Sequence, residues 1–283
     1  MLSKHRRATN DVRDPREHGP SGSQNTRVQA PSETTGSVRS LERALDLLER
    51  LESLRSPIGV RALEAATGIP KATAQRLLDV LEKRGYVQKE RGRYALAVGT
   101  VRLARGFLAG DNLTQVALPI LQKLTSFSGE TCSLYVRQGF GRIIVQRVES
   151  PHPLRFHTPV GERLPLHLGA SGQVLCAGMP DELLRQFIDQ LGPVRLASGK
   201  LLNKKDLWAR IQRVRRQGYA IGVGERYDGV SSVAAPVVRR EKGVVAAINI
   251  AGPSTRMPAD KLERLSIDVR GAAREISEQF NRL

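Results

Sequence analysis

Three short helices followed by a hairpin are predicted within residues 38–97, and this pattern limits the possible folds more than any other feature. Apolar residues recur at helical spacing in each helix. The first helix carries Leu41, Ala44, Leu45, Leu47, Leu48 and Leu51 on one face. The helices are predicted to end at Ser56-Pro57, Thr67-Gly68 and Lys83-Arg84-Gly85. Apolar and polar residues then alternate on either side of the polar tip Glu90-Arg91-Gly92. This order is typical of a winged helix-turn-helix domain.

The chain is strongly basic, with 45 Lys and Arg against 28 Asp and Glu in 283 residues and a formal net charge of +17. Its length corresponds to about two domains. The charge favours a polyanionic partner, although charge alone does not specify a fold. Two cysteines, Cys132 and Cys176, are too few for a disulfide framework and favour a reducing cytoplasm. No apolar run approaches about 18 residues, so no membrane partner or membrane-spanning segment is predicted.

Composition divides the chain into four parts. Residues 1–37 have almost no bulky apolar side chains and are predicted to form a disordered arm. The winged helix-turn-helix domain occupies residues 38–97, and a linker helix follows over 98–111, before an interruption at Gly110-Asp111-Asn112. Residues 112–283 alternate strands and helices, which indicates an α+β domain around an antiparallel sheet. Its predicted strands are Thr131–Val136, Arg142–Val148, Leu154–Thr158, Val230–Arg239 and Val244–Ile250, and its predicted helices are Ala170–Ala177, Pro180–Leu191, Lys204–Gln217 and Pro258–Phe280.

The second and third helices have the spacing of a DNA-binding pair, in which the later helix enters the major groove. Thr73, Gln75 and Arg76 lie on its outward side and are expected to reach base edges. Lys71 is better placed for a phosphate, and so are Arg91 and Arg93 on the hairpin. A winged helix used for protein contacts is the alternative.

The sequence gives little support to an enzymatic function. No HExxH, CxxC or phosphate-binding glycine motif occurs, so neither a metal site nor a cofactor is predicted. An enzyme built on the second domain, with the helical domain as a docking module, would require a catalytic set around His167 and Cys176. Neither residue has an evident partner in sequence. A binding site is more consistent with Gly169, Ala170, Ser171 and Gly172, because small residues at a helix start can seat a carboxylate.

These residues resemble those of the IclR family of bacterial regulators. In the first domain the resemblance lies in residues 40–48, 67–78, 85–87 and 94–96. In the second it lies in residues 161–167, 170–172, 216–220 and 233–237. The resemblance covers about residues 38–282, and its separate motifs occur in the family's order.

The resemblance implies a winged-helix domain joined by a helix to a GAF-like effector domain, assembled as a homodimer or a dimer of dimers. It also implies a transcriptional regulator, commonly of catabolic operons, that binds a double-stranded DNA operator and responds to a small organic acid. The family's ligand contacts match Ala170 and Ser171, with Gly222, Ser232, Asn249 and Ala251 on the opposite wall. Family members that bind 2-oxo acids have an acidic residue at the position of Gly222 and a hydroxyl at that of Ala251. The loss of both groups suggests a larger or less polar effector, such as an aromatic or long-chain acid.

Overall fold

A computed structural model of the chain describes residues 38–54 and 56–283, so the predicted arm over 1–37 lies outside the described residues. The N-terminal part contains three helices and a small antiparallel sheet. Its elements are α1 (Arg39–Leu54), β1 (Ile58–Gly59), α2 (Val60–Thr67), α3 (Lys71–Lys83), β2 (Val87–Glu90) and β3 (Arg93–Leu96). The strands pair in the order β1-β3-β2, which confirms the predicted winged helix-turn-helix fold.

The core of this domain is built from one or two side chains of each element. Leu47, Leu63, Leu78 and Tyr94 are almost completely buried. The apolar face predicted for α1 is wider than the face that packs, because Leu41 and Leu45 remain 58% and 51% exposed. The helical period alone cannot show how far around a helix its partners reach.

Helix α4 (Gly99–Gly110) connects this domain to the larger one, which begins with α5 (Asn112–Ser128). The break between them lies at the predicted position. Asp111 has extended backbone there, and its side chain accepts the N–H groups of Leu113 and Thr114 at 3.3 and 3.2 Å. This N-cap starts a new helix. From Val101 onward α4 is exposed on every side.

The larger part contains a six-stranded sheet and four further helices. Its elements in chain order are β4 (Thr131–Gln138), β5 (Gly141–Val148), β6 (Arg163–Pro165), α6 (Ala170–Ala177), α7 (Asp181–Gln190), β7 (Val194–Arg195), β8 (Leu201–Leu202), α8 (Lys204–Gln217), β9 (Ala220–Val223), β10 (Val230–Arg239), β11 (Gly243–Pro253) and α9 (Ala259–Phe280). The main sheet has the order β6-β5-β4-β11-β10-β9, and every neighbouring pair is antiparallel. The predicted α+β class is therefore confirmed.

Each face of this sheet carries its own core. Val233, Val237 and Ile248 point to the face covered by α5 and α9. Ala234 and Ala247 point to the other face, which is covered by α6, α7 and α8. Strand side chains alternate between faces, so Ser232 and Asn249 lie on the same face as Ala234, which is the α6 side.

One predicted strand is wrong. Leu154–Thr158 contains no strand: β5 pairs with β6, and the segment between these two strands is an irregular loop. The guanidinium group of Arg147 donates to the carbonyl oxygens of Phe156 and Thr158 in place of a neighbouring strand. Side-chain donors that are distant in sequence thus satisfy this backbone.

Among the described residues, no helix combines the length and the apolar character required to cross a bilayer.

Candidate functional site

The turn between α2 and α3 sets the angle of the two helices. Gly68 takes a left-handed conformation with φ of 71°, and its N–H donates to the Glu64 carbonyl at 2.8 Å. Ile69 is buried in the domain core. The first N–H of α3, from Lys71, donates to the side chain of Glu64 at 2.8 Å. Since Glu64 holds both the end of α2 and the start of α3, the orientation of α3 is fixed.

The outward face of α3 presents the residues expected to contact DNA. Lys71 and Arg76 are exposed, whereas Thr73 and Gln75 are half-buried. The side-chain nitrogen of Gln75 donates to Asp79 Oδ1 at 2.8 Å and to the Tyr94 hydroxyl at 2.7 Å. Both hydrogens of that amide are used within the domain, so base contact by Gln75 would involve its carbonyl oxygen.

The wing ends in a two-residue turn. Arg91 and Gly92 both have positive φ, 48° and 76°, as a type I′ turn requires. Arg91 and Arg93 are exposed at this tip. Tyr94 joins the wing to the rest of the surface: it accepts from Gln75, and Lys89 lies 5.3 Å from its ring centre. The hydrogen bond with Tyr94 raises the pKa of Lys89, so that residue remains cationic.

The larger domain contains a small cavity between the start of α6 and the sheet. Its volume is about 40 Å³, and every strand of the main sheet contributes to its lining. All but one of the seven predicted effector contacts line it, and so does Gly169, which precedes them in the chain. The seven are Ala170, Ser171, Gly172, Gly222, Ser232, Asn249 and Ala251, and the exception is Gly172. Gly222, Ser232 and Ala251 are direct partners in one row across β9, β10 and β11. Residues distant in sequence thus form one wall.

The seventh residue, Gly172, does not line the cavity. A Cβ atom at this position would collide with the Leu166 carbonyl and lie 2.7 Å from Nη1 of Arg142. Gly172 is therefore required for close packing of α6. Gly222 has a related constraint, because its Cβ would lie 3.0 Å from the nitrogen of Ala170. At both places two backbone segments approach each other closely.

The charged residues of the cavity are absent from the sequence prediction. Glu225 is buried and accepts the N–H of Gly169 at 2.7 Å, the amide of Gln173 at 3.0 Å and the guanidinium of Arg210 at 2.9 Å. Arg226 also lines the cavity and lies 3.6 Å from Glu162. The loop between β9 and β10 therefore brings both signs of charge to this wall.

Arg142, at the start of β5, is the most deeply buried of these charges. It is 3% exposed, and its Nη1 donates to the carbonyl oxygen of Pro165. Burial lowers the pKa of Arg142 to about 10, and the charge of Arg226 also lowers it. One signal in the sequence could have identified it: a lone arginine begins the apolar strand Gly141-Arg142-Ile143-Ile144-Val145.

Aromatic side chains form the remaining walls of the cavity. The rings of Phe156 and Tyr227 lie 5.6 Å apart, and Arg142 lies 5.5 Å from the ring centre of Tyr135. The side-chain oxygen of Asn249 is buried and has no hydrogen-bond partner among the described residues. A volume of about 40 Å³ holds about three water molecules, so a ring would require Phe156 and Tyr227 to separate.

His167 and Cys176 do not have the properties of a general base and a nucleophile. Burial, followed by the charge of Arg142, lowers the pKa of His167 to about 4. Burial raises the pKa of the Cys176 thiol to about 12. Near neutral pH the imidazole is a poor base and the thiol is not ionised. Within the described part of the chain, no group of three or more His, Cys, Asp or Glu could hold a metal ion.

Both parts of the chain match models of known protein families. The IclR helix-turn-helix domain matches residues 40–91, and the C-terminal domain of the bacterial transcriptional regulator IclR matches residues 106–278. Over 252 residues the chain is 28% identical to the transcriptional repressor IclR of Escherichia coli strain K12. The match covers 88% of this chain and 92% of that relative.

Two solved structures show the same fold. An IclR family transcriptional regulator from Brucella abortus has a TM-score of 0.74 at 26% identity, and the match covers 86% of this chain and 93% of that one. An IclR homologue from Microbacterium hydrocarbonoxydans, solved in complex with 4-hydroxybenzoate, has a TM-score of 0.73 at 23% identity. That match covers 86% of this chain and 100% of the other. Relatives named as repressors indicate a regulator and not an enzyme. The chain therefore belongs to the IclR family of bacterial transcriptional regulators.

Proposed function

We propose that the protein is a sequence-specific transcriptional regulator of a catabolic operon, with a small organic acid as its effector. The observation that carries this proposal is that one chain combines an exposed recognition helix and basic wing with a cavity at the start of α6. Six of the predicted effector contacts line that cavity. An effector can act only by binding more tightly to one of two arrangements of the DNA-binding domains.

On DNA, Thr73, Gln75 and Arg76 contact base edges, and Lys71, Arg91 and Arg93 contact phosphates. The exposure of Arg76, Arg91 and Arg93 supports these roles. None of these three guanidinium groups forms an ion pair with another described residue. Phosphates can therefore approach them without first breaking an internal pair.

A second copy of the chain covers the apolar faces of α1 and α4. Leu41 and Leu45 on α1 are exposed, and so are Val101, Leu103 and Phe107 on α4. A regulator that reads a near-palindromic operator requires two copies of its recognition helix, which argues for a homodimer, alone or within a dimer of dimers. Light scattering should report at least a dimer, and Phe107→Ser should shift the protein toward the monomer. A wild-type monomer would contradict this assembly.

Fluorescence anisotropy with the DNA upstream of the gene, and with a scrambled duplex, tests DNA recognition. Arg76→Ala should weaken operator binding by about 1–3 kcal/mol and relax base preference. The matched control is Arg213→Ala, since Arg213 is exposed on α8 and its loss changes net charge equally. Equal effects of the two variants, or salt-sensitive binding without sequence preference, would indicate non-specific DNA binding.

A further inference from the structure

The guanidinium of Arg142 is buried, and its charge is only partly compensated, by the more distant carboxylate of Glu225. Among the residues that the structure describes, no carboxylate lies within ion-pair distance of it. Its Nε is buried and has no hydrogen-bond partner in the part of the chain that the structure describes. A buried charge without a partner is costly, and an anion bound beside it would offset that cost.

The nearby acidic residues are already engaged. The carboxylate of Glu225 accepts hydrogen bonds from three donors, one of them the guanidinium of Arg210. Glu162 lies against Arg226. Because those charges are compensated elsewhere, the positive charge of Arg142 remains available to a ligand in the cavity that it lines.

Arg142 also lies against the first turn of α6. A Cβ atom on Gly169 would be 3.3 Å from its Nη2, so this part of the guanidinium borders the helix start. The N–H groups of a first helical turn have no partner within the helix and attract negative charge. A buried arginine and a helix N-terminus therefore converge on one point of the cavity, beside the carboxylate of Glu225, which accepts the N–H of Gly169 and is itself paired with Arg210.

The other walls favour a planar apolar group. Phe156 and Tyr227 flank the cavity, and Leu164, Val230 and Ala251 add apolar surface. A ring entering between Phe156 and Tyr227 would separate these two rings and replace their mutual contact with a contact to each of them.

We infer that the effector is an aromatic monocarboxylate whose carboxylate is bound by Arg142 at the start of α6, with its ring between Phe156 and Tyr227. Arg142 is then a specificity-determining residue of the site. This inference rests on the proposed function, because it takes the cavity to be the effector site.

Calorimetry with benzoate, benzamide and pyruvate on the full chain without DNA tests the inference. Benzoate should bind, and benzamide, which has the same ring but no charge, should bind at least about tenfold more weakly. Arg142→Met should weaken benzoate binding by about 10- to 100-fold. Binding of pyruvate alone, or equal binding of benzoate and benzamide, would overturn the inference.

A comparison of two variants separates ligand binding from a structural role. Arg215→Met is the matched control, because Arg215 is half-buried, pairs with Asp181 and lies outside the cavity lining. It should lower the thermal stability of the unliganded protein and leave benzoate binding unchanged. Arg142→Met should keep or raise that stability, since it removes a charge that is only partly compensated, and should abolish stabilisation by benzoate. Loss of unliganded stability with intact benzoate binding would show that Arg142 is only structural.

Two further outcomes separate this inference from the proposed function. Equal losses of affinity in Arg142→Met and Arg226→Met would show a diffuse positive field and overturn the role of Arg142. Arg142-dependent benzoate binding that leaves operator binding unchanged would contradict the proposed regulation and uphold the assignment of Arg142.

Discussion

The proposed DNA-binding surface and the effector cavity use arginine in opposite ways. Arg76, Arg91 and Arg93 are exposed, so water stabilises their charge until DNA displaces it. Arg142 is 3% exposed, and burial lowers its pKa to about 10. The exposure of the first three can be predicted from their positions on the outer face of a helix and at the tip of a hairpin. The role of Arg142 depends on what the rest of the fold places around it.

The two regions also have separate cores, and a core substitution in one should leave the other intact. Leu78→Ala on α3 removes a fully buried side chain and should destabilise the DNA-binding domain by about 3–5 kcal/mol. Val80→Ala, two residues further along the same helix, should cost less than about 0.5 kcal/mol, since Val80 is 55% exposed. Urea unfolding followed by circular dichroism measures both changes.

The same two variants show whether the regions are independent. Leu78→Ala should weaken operator binding and leave ligand binding to the larger domain unchanged. A parallel loss of ligand binding would mean that the two cores unfold as one unit.

A pH titration should distinguish the buried cavity region from the exposed surface. The folded protein holds the pKa of His167 at about 4, against 6.5 for an ordinary histidine, because burial and Arg142 disfavour its protonated form. The unfolded chain therefore binds the additional proton first, and stability falls as the pH is lowered from 6.5 toward 4. The free energy of unfolding should fall by on the order of 2–3 kcal/mol over this range.

Unfolding of His167→Gln and His152→Gln over that range measures this contribution. His167→Gln should flatten the pH dependence, whereas His152→Gln should retain it, because the side chain of His152 is exposed. An unchanged slope in His167→Gln would assign the acid sensitivity to another group.

The smallest expected effect concerns the tip of the wing, where stability and DNA affinity oppose each other. Arg91 has a φ of 48°, a conformation that asparagine adopts more readily. Arg91→Asn should raise stability by about 0.5–1 kcal/mol and reduce the salt dependence of DNA binding by about one phosphate contact. Arg93→Asn removes the same charge from a strand, so it should reduce the salt dependence without raising stability. A stability gain in both variants would contradict the argument from backbone conformation.

Local patterns in the sequence predicted most of the elements. The helices Ala170–Ala177 and Lys204–Gln217 have the predicted bounds, and the break at Asp111 lies where it was expected. These features depend on helical period and capping, which are encoded within a few residues. The motifs of the family resemblance identified six residues of the cavity lining, although no local pattern linked β9, β10 and β11.

The sequence by itself determined the winged helix-turn-helix domain, the α+β class of the larger domain and the exposed arginines of the proposed DNA-binding surface. Only the tertiary structure decided that Leu154–Thr158 is a loop, that Gly172 packs outside the cavity and that Arg142 lies within it. Helical period and turn chemistry act between near neighbours in the chain. The burial of a charge, and its distance from the carboxylates around it, depend on strands and loops that only the folded chain brings together.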